Sequence, residues 1–167
     1  MQLSLHADYS LRVLLYLGAN PGRVVTTKEI SEAYGISRNH LVRVVQTLGE
    51  HGYVRISPGR SGGLSLALSP RFIRLGDVFS KTEPNLSLVE CFNHQTNTCP
   101  IIPVCGLKPL LSEALDQFIR TLNSRTLADL LCYGQKESLK TVFINIGTSS
   151  DVSSSSKAPL KATQRRK

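Results

Sequence analysis

Cys91, Cys99 and Cys105 fall within a stretch of 15 residues, spaced C-x7-C-x5-C. The residues between them are mostly polar or proline, with Pro100 and Pro103 stiffening the stretch. Thiolates are soft ligands, so three on one irregular loop can wrap a soft metal centre. Zinc is one reading, although its C-x2–4-C knuckle is absent. Iron–sulfur ligation is the other, and it accepts more varied spacings. The plain alternative is three ordinary cysteines, but clustering in a chain with no secretory signal points to metal or redox chemistry. His94 lies inside the loop, as a ligand or as a loop residue. Three thiolates leave a fourth position. The chain supplies Asp8, at the start of its first helix, and a second subunit could bring it to the loop. A carboxylate binds a soft centre more weakly than a thiolate, so iron held by it would be the exchangeable one. Cys132 sits in LADLLCY and reads as a packing residue.

A second constellation suits nucleic acid. Over residues 37–50, Leu41, Val44, Val45 and Leu48 share one helical face. Asn39, Arg43 and Gln46 lie opposite, and Ser37, Arg38 and His40 stand at the helix start. The first turn of such a helix enters a major groove, where Arg pairs with guanine and Asn with adenine. Thr27 and Ser37 can reach phosphates without reading sequence. Arg60, between glycines in PGRSGG, suits a narrow, electronegative minor groove.

The elements that must position these groups follow from periodicity. Residues 7–19 are helix-like, with Tyr9, Val13 and Leu17 on one face and Asn20-Pro21-Gly22 as the stop. Thr26 or Thr27 caps a short helix that Gly35 ends, and Ser37 caps the next. Runs 53–57 and 64–68 alternate as strands around the PGRSGG tip. Helix, turn, helix and hairpin make a winged helix. Another short helix is expected over 73–82. Around and past Pro109 a long helix carries Leu107, Leu111, Ala114, Phe118 and Leu122 at 4, 3, 4, 4 spacing. So wide a stripe needs a partner surface, and a second subunit is the simplest. The expected fold is mainly α with a small β-hairpin. It divides into a winged helix-turn-helix DNA-binding domain (1–83), a cysteine-rich cluster-binding loop (84–108), a dimerisation helix region (109–133) and a basic Ser-rich tail (134–167), disordered from 147.

Composition agrees. The 167 residues carry 20 Lys+Arg against 12 Asp+Glu, a net +8. Residues 23–74 hold eight basic and three acidic groups, residues 75–135 four and six, and residues 136–167 seven and two. The first basic block coincides with the helix-turn-helix and wing, so DNA is the acidic partner to test. The second is the tail, read as a solvated segment or a nonspecific phosphate-binding arm. No apolar run is long enough for a bilayer, and no signal peptide is evident, which points to the cytoplasm. No G-x-S-x-G, H-E-x-x-H or Gly-rich phosphate loop is present, so an enzyme is not expected. A redox or electron-transfer protein with an acidic protein partner is a rival reading.

Several stretches together resemble the iron–sulfur winged-helix transcriptional repressors. They are HADYSLRVLLYL, YGISRNHLVRVVQTLGEHGYV, GRSGGLSLAL, IRLGDVF, LVEC, CPIIPVCGLK and TLADLL, within about residues 1–133. RNH, LSLVEC and TLADLL resemble the nitric-oxide-sensing branch. The resemblance implies a homodimer on a palindromic promoter operator, with one cluster per subunit held by Cys91, Cys99 and Cys105. Asp8 matches the fourth ligand, donated by the partner subunit. Nitric oxide is the implied signal; iron or cluster supply, as in the IscR-like branch, is the alternative. The seven-residue first gap is longer than in some relatives, which leaves 4Fe–4S against 2Fe–2S open and makes His94 a residue to watch.

Overall fold

The computed structural model describes residues 3–59, 62–93, 95–133 and 141. Arg60, His94 and the expected disorder from Gly147 lie outside the described residues. Helix α1 spans Leu5–Ala19; the Ser4 hydroxyl caps it by accepting from Ala7 N–H at 3.1 Å. Its apolar residues run around more than one face, because α1 is central: it packs against helices and hairpin alike. Helix α2 spans Thr27–Tyr34, and Thr26 rather than Thr27 is the cap, accepting from Glu29 N–H at 3.2 Å. Gly35 takes φ +64°, the left-handed conformation that ends a helix without a Cβ clash. Helix α3, Arg38–Glu50, buries Leu41, Val44, Val45 and Leu48, the face its periodicity marks. Ser37 stands at its cap position, but its hydroxyl makes no capping bond.

Strands β1 (Val54–Ser57) and β2 (Gly63–Leu66) pair antiparallel, with Val54 opposite Leu66 and Ser57 opposite Gly63. The hairpin is shorter than its alternation suggests, because Ser69-Pro70 opens a 3-10 turn over Pro70–Phe72. A third segment joins it. Val25 N–H donates to the Leu64 carbonyl (2.9 Å) and Leu64 N–H to the Val25 carbonyl (2.7 Å). Gly63 permits this approach: a Cβ there would lie 2.6 Å from the Val25 carbonyl oxygen. The wing is thereby tied to the connection between α1 and α2.

Helix α4 spans Leu75–Thr82 and α5 Leu107–Asn123. They pack together, with the Phe79 and Phe118 rings edge-to-face at 5.3 Å. The region expected as one dimerisation helix is broken in two. Helix α6, Leu127–Tyr133, turns back onto α1. Leu75 N–H donates to the Arg125 carbonyl (3.1 Å) and Leu127 N–H to the Ile73 carbonyl (2.8 Å). Leu127 and Leu131 are buried, and Leu131 fits over Gly18, where a Cβ would lie 2.8 Å from its Cδ1. Cys132, expected to pack, is exposed instead. It lies about 100° around the helix from Leu131, which carries the buried edge. No helix among the described residues is long and apolar enough to cross a membrane.

Candidate nucleic-acid interface and cysteine loop

Burying the apolar stripe of α3 forces its polar residues outward. Arg38, Asn39, His40, Arg43 and Gln46 are all exposed. Gln46 is turned along the helix, donating to Glu50 Oε1 at 3.0 Å. Thr27, the first residue of α2, is half-buried, and the free Ser37 hydroxyl is exposed. The first turn of α3, with no side-chain cap on its N–H groups, carries Arg38, Asn39 and His40, whereas Thr26 takes one N–H of the first turn of α2. Two residues escaped the sequence reading. Val42 is 56% exposed on the flank of α3, an aliphatic group beside Arg43 that can meet a thymine methyl. Its signal was membership of neither the apolar nor the polar stripe. Arg55 is exposed on β1 and supplies charge within the described part of the wing.

Asp8 lies in the first turn of α1, where Arg12 holds it with two of its three guanidinium nitrogens. Nε donates to Oδ1 at 3.0 Å and Nη2 meets Oδ2 at 2.7 Å. The hydrogen bond to Asp8 keeps the guanidinium pKa above its ordinary value. Arg12 also lies 5.9 Å from the ring centroids of Tyr9 and Tyr34. The Tyr34 O–H donates to the Arg12 carbonyl at 3.2 Å, and burial pushes its pKa up to about 12, so it stays a donor at neutral pH. The Tyr9 ring in turn lies 6.1 Å from that of His40 on α3. A chain of contacts therefore runs from Asp8 through Arg12 and Tyr9 to the outward helix.

The cysteine stretch is irregular apart from two 3-10 turns, Glu90–Phe92 and Ile102–Val104. Cys91, Cys99 and Cys105 are free thiols, each half-buried. Glu90 Oε1 accepts from Thr98 N–H at 2.6 Å and from the Thr98 hydroxyl at 2.7 Å. The hydroxyl first, and then the backbone N–H, holds the Glu90 carboxyl below its ordinary pKa. In donor type these residues fit a soft metal centre. In placement they are incomplete: among the described residues no three Cys, His, Asp or Glu side chains form a metal-binding group. Asp8 and the three cysteines are therefore not gathered within one chain. Ile101, Val104, Leu107 and Leu110, around the last cysteine, expose 57%, 86%, 58% and 60% of their surface. Leu111 and Leu115 turn the other way, lining with Phe79 and Leu88 an apolar groove of about 570 Å³.

A winged helix with a polar recognition face, in a chain that also carries a cysteine loop, defines a DNA-binding transcription regulator. Residues 3–133 match the Rrf2 family, described as iron-dependent transcriptional regulators. The chain is 49% identical over 132 residues to the HTH-type transcriptional regulator NsrR of Halalkalibacterium halodurans, covering 78% of this chain and 90% of that protein. It is 47% identical to NsrR of Bacillus subtilis over the same length, again covering 78% of this chain and 90% of the relative. Among solved structures it resembles T. potens IscR, with TM-score 0.65, 25% identity and coverage of 80% of this chain and 88% of that one. It also resembles CymR, the global cysteine regulator of B. subtilis, with TM-score 0.62, 25% identity and coverage of 80% and 98%. The chain belongs to the Rrf2 family of transcriptional regulators and is not an enzyme.

Proposed function

We propose that this protein is a nitric-oxide-sensitive transcriptional repressor of the cytoplasm. A homodimer holding one iron–sulfur cluster per subunit binds a palindromic promoter operator and leaves it when nitric oxide reacts with the cluster. Cys91, Cys99 and Cys105 are its thiolate ligands, and Asp8 of the partner subunit is the fourth. When bound, the cluster supplies iron open to nitric oxide. The observation that carries this reading is the contact chain from Asp8 through Arg12 and Tyr9 to His40. A carboxylate moving between Arg12 and a ligand role would change what α3 packs against, a local event biasing a two-state element. The exposed apolar residues from Ile101 to Leu110 support a second copy as cover, and α6 belongs with the winged-helix core, so α5 alone remains the dimerisation element. Relatives named NsrR favour the nitric-oxide branch. The likeness to T. potens IscR keeps iron or cluster supply as the second reading.

Thr27, Ser37, Arg38, Asn39, His40, Arg43 and Arg60 make the DNA contacts in this reading. Titrating anaerobically purified protein on operator DNA with a nitric oxide donor should weaken binding by one to two orders of magnitude, about 1.4–2.8 kcal/mol. Unchanged affinity after complete nitrosylation overturns the sensor. Equal loss on simple removal of iron favours the supply reading.

Base reading has its own test. Arg43→Ala or Asn39→Ala should cost about 1–3 kcal/mol and relax preference at one base pair per half-site. Ser37→Ala should weaken all sequences alike. If Val42 meets a thymine methyl, replacing that thymine with uracil should weaken wild-type binding and leave Val42→Ala indifferent. Equal responses of both proteins at every position remove Val42 from the interface.

A further inference from the structure

The first two cysteines are separated by seven residues, a gap that by itself leaves their relative placement loose. The structure closes that gap with one side chain. Glu90 immediately precedes Cys91, and Thr98 immediately precedes Cys99. One oxygen of the Glu90 carboxylate takes both the backbone N–H and the hydroxyl of Thr98, at 2.6 and 2.7 Å. These are the short lengths of charge-assisted hydrogen bonds. Local turns support the two ends. Asn93 N–H returns to the Glu90 carbonyl at 3.1 Å, Gln95 N–H donates to Asn93 Oδ1 at 3.0 Å, and Cys99 N–H donates to Asn97 Oδ1 at 3.2 Å. Among the described residues between them, Asn93, Gln95 and Thr96 are exposed, and the Glu90–Thr98 pair forms the neck of the stretch.

We propose that Glu90 is the positioning residue of the cysteine loop, clamping Thr98 so that Cys91 and Cys99 are presented together as a preset pair of soft-metal ligands. The clamp makes a long gap serve as a short one. The inference rests on the reading of these cysteines as ligands, but it concerns the chain before any iron is bound. Glu90 does not itself touch metal; it acts through the backbone of the two cysteines. Preorganisation of this kind raises affinity by removing part of the ordering cost from the binding step.

The test uses the full-length, reduced chain without iron. A bifunctional bimane that fluoresces only on bridging two thiols is added, and the Cys91–Cys99 bridge is quantified by peptide mapping. Glu90→Ala should slow that bridge by about five- to tenfold, as expected for a drop in the effective concentration of one thiol at the other, and Thr98→Val, which keeps the backbone N–H bond, should slow it by a smaller factor. The double variant should be no slower than Glu90→Ala, which by itself removes both bonds to Thr98. Glu90→Gln, which keeps an acceptor oxygen but not the charge, should fall between. Cadmium alone, followed by its thiolate charge-transfer absorption, should bind Glu90→Ala more weakly by a similar factor. Circular dichroism should be unchanged, since Glu90 is exposed. Wild-type bridging rates in both single variants overturn the clamp. Slowed bridging in a protein that never acquires iron–sulfur absorbance upholds the clamp and overturns the cluster.

Discussion

Cys91→Ser, Cys99→Ser and Cys105→Ser are each expected to abolish the visible absorbance of the anaerobically reconstituted protein, while Cys132→Ser keeps it. Serine preserves shape but offers a hard, protonated oxygen where a soft centre needs a thiolate. With three thiolates per subunit there is no spare, so a single loss removes the cluster rather than weakening it. Cys132 is the internal control. It is exposed on α6, in a separate element from the other three. Bleaching by Cys132→Ser would overturn the ligand assignment. Asp8→Ala should give a subtler result, a looser cluster or altered spectrum, because a carboxylate is the weakest of the four proposed ligands. The same variant frees Arg12 from its two contacts, at 3.0 and 2.7 Å, so folding must be checked alongside. Iron and sulfide counts with the spectrum separate the metals: a colourless protein carrying zinc would support the other reading of the cysteine spacing.

Leu127→Ala is expected to destabilise the winged-helix core by about 2–5 kcal/mol, the range for deleting a buried leucine side chain and leaving a cavity. Leu127 is 1% exposed, and with Leu131 it covers α1 at Gly18. Thermal or urea unfolding measures the loss. Leu110→Ala is the contrast: at 60% exposure it should change the stability of the folded chain by less than about 0.5 kcal/mol and instead weaken self-association. If Leu127→Ala were neutral, α6 would not belong to the core. If Leu110→Ala left the sedimentation behaviour unchanged, α5 would lose its proposed role at a dimer interface.

The split between α5 and α6 was present in the sequence as a local signal. Thr126 and Asp129 form a reciprocal cap: Asp129 Oδ2 accepts from Thr126 N–H (2.7 Å) and from its hydroxyl (2.9 Å), and Asp129 N–H returns to Thr126 Oγ1 (3.3 Å). Against a strong apolar periodicity on either side, that short motif is easily passed over. Leu107, Leu111, Ala114, Phe118 and Leu122 show why periodicity alone misleads. They are evenly spaced, yet Phe118 meets Phe79 while Leu107 and Ala114 are exposed. A stripe records which residues share a helix side, but which part of it is covered depends on the neighbours.

Whatever depends on local spacing was legible in the order of the residues. The apolar face of α3 and its outward Arg38, Asn39 and Arg43 follow from a 3.6-residue period, the turn at Gly35 from a backbone freedom that only glycine has cheaply, and the wing from alternation around a glycine-rich tip. The three cysteines were legible because thiols in one short loop are rare and chemically specific. What depends on residues distant along the chain came from how the elements pack. That packing carried α6 back onto α1, tied Val25 into the wing, exposed Cys132, and drew Asp8, Arg12, Tyr9 and His40 into one line of contacts across two helices. Those outcomes are set by which surfaces exclude water together, a property of packing that no single segment contains.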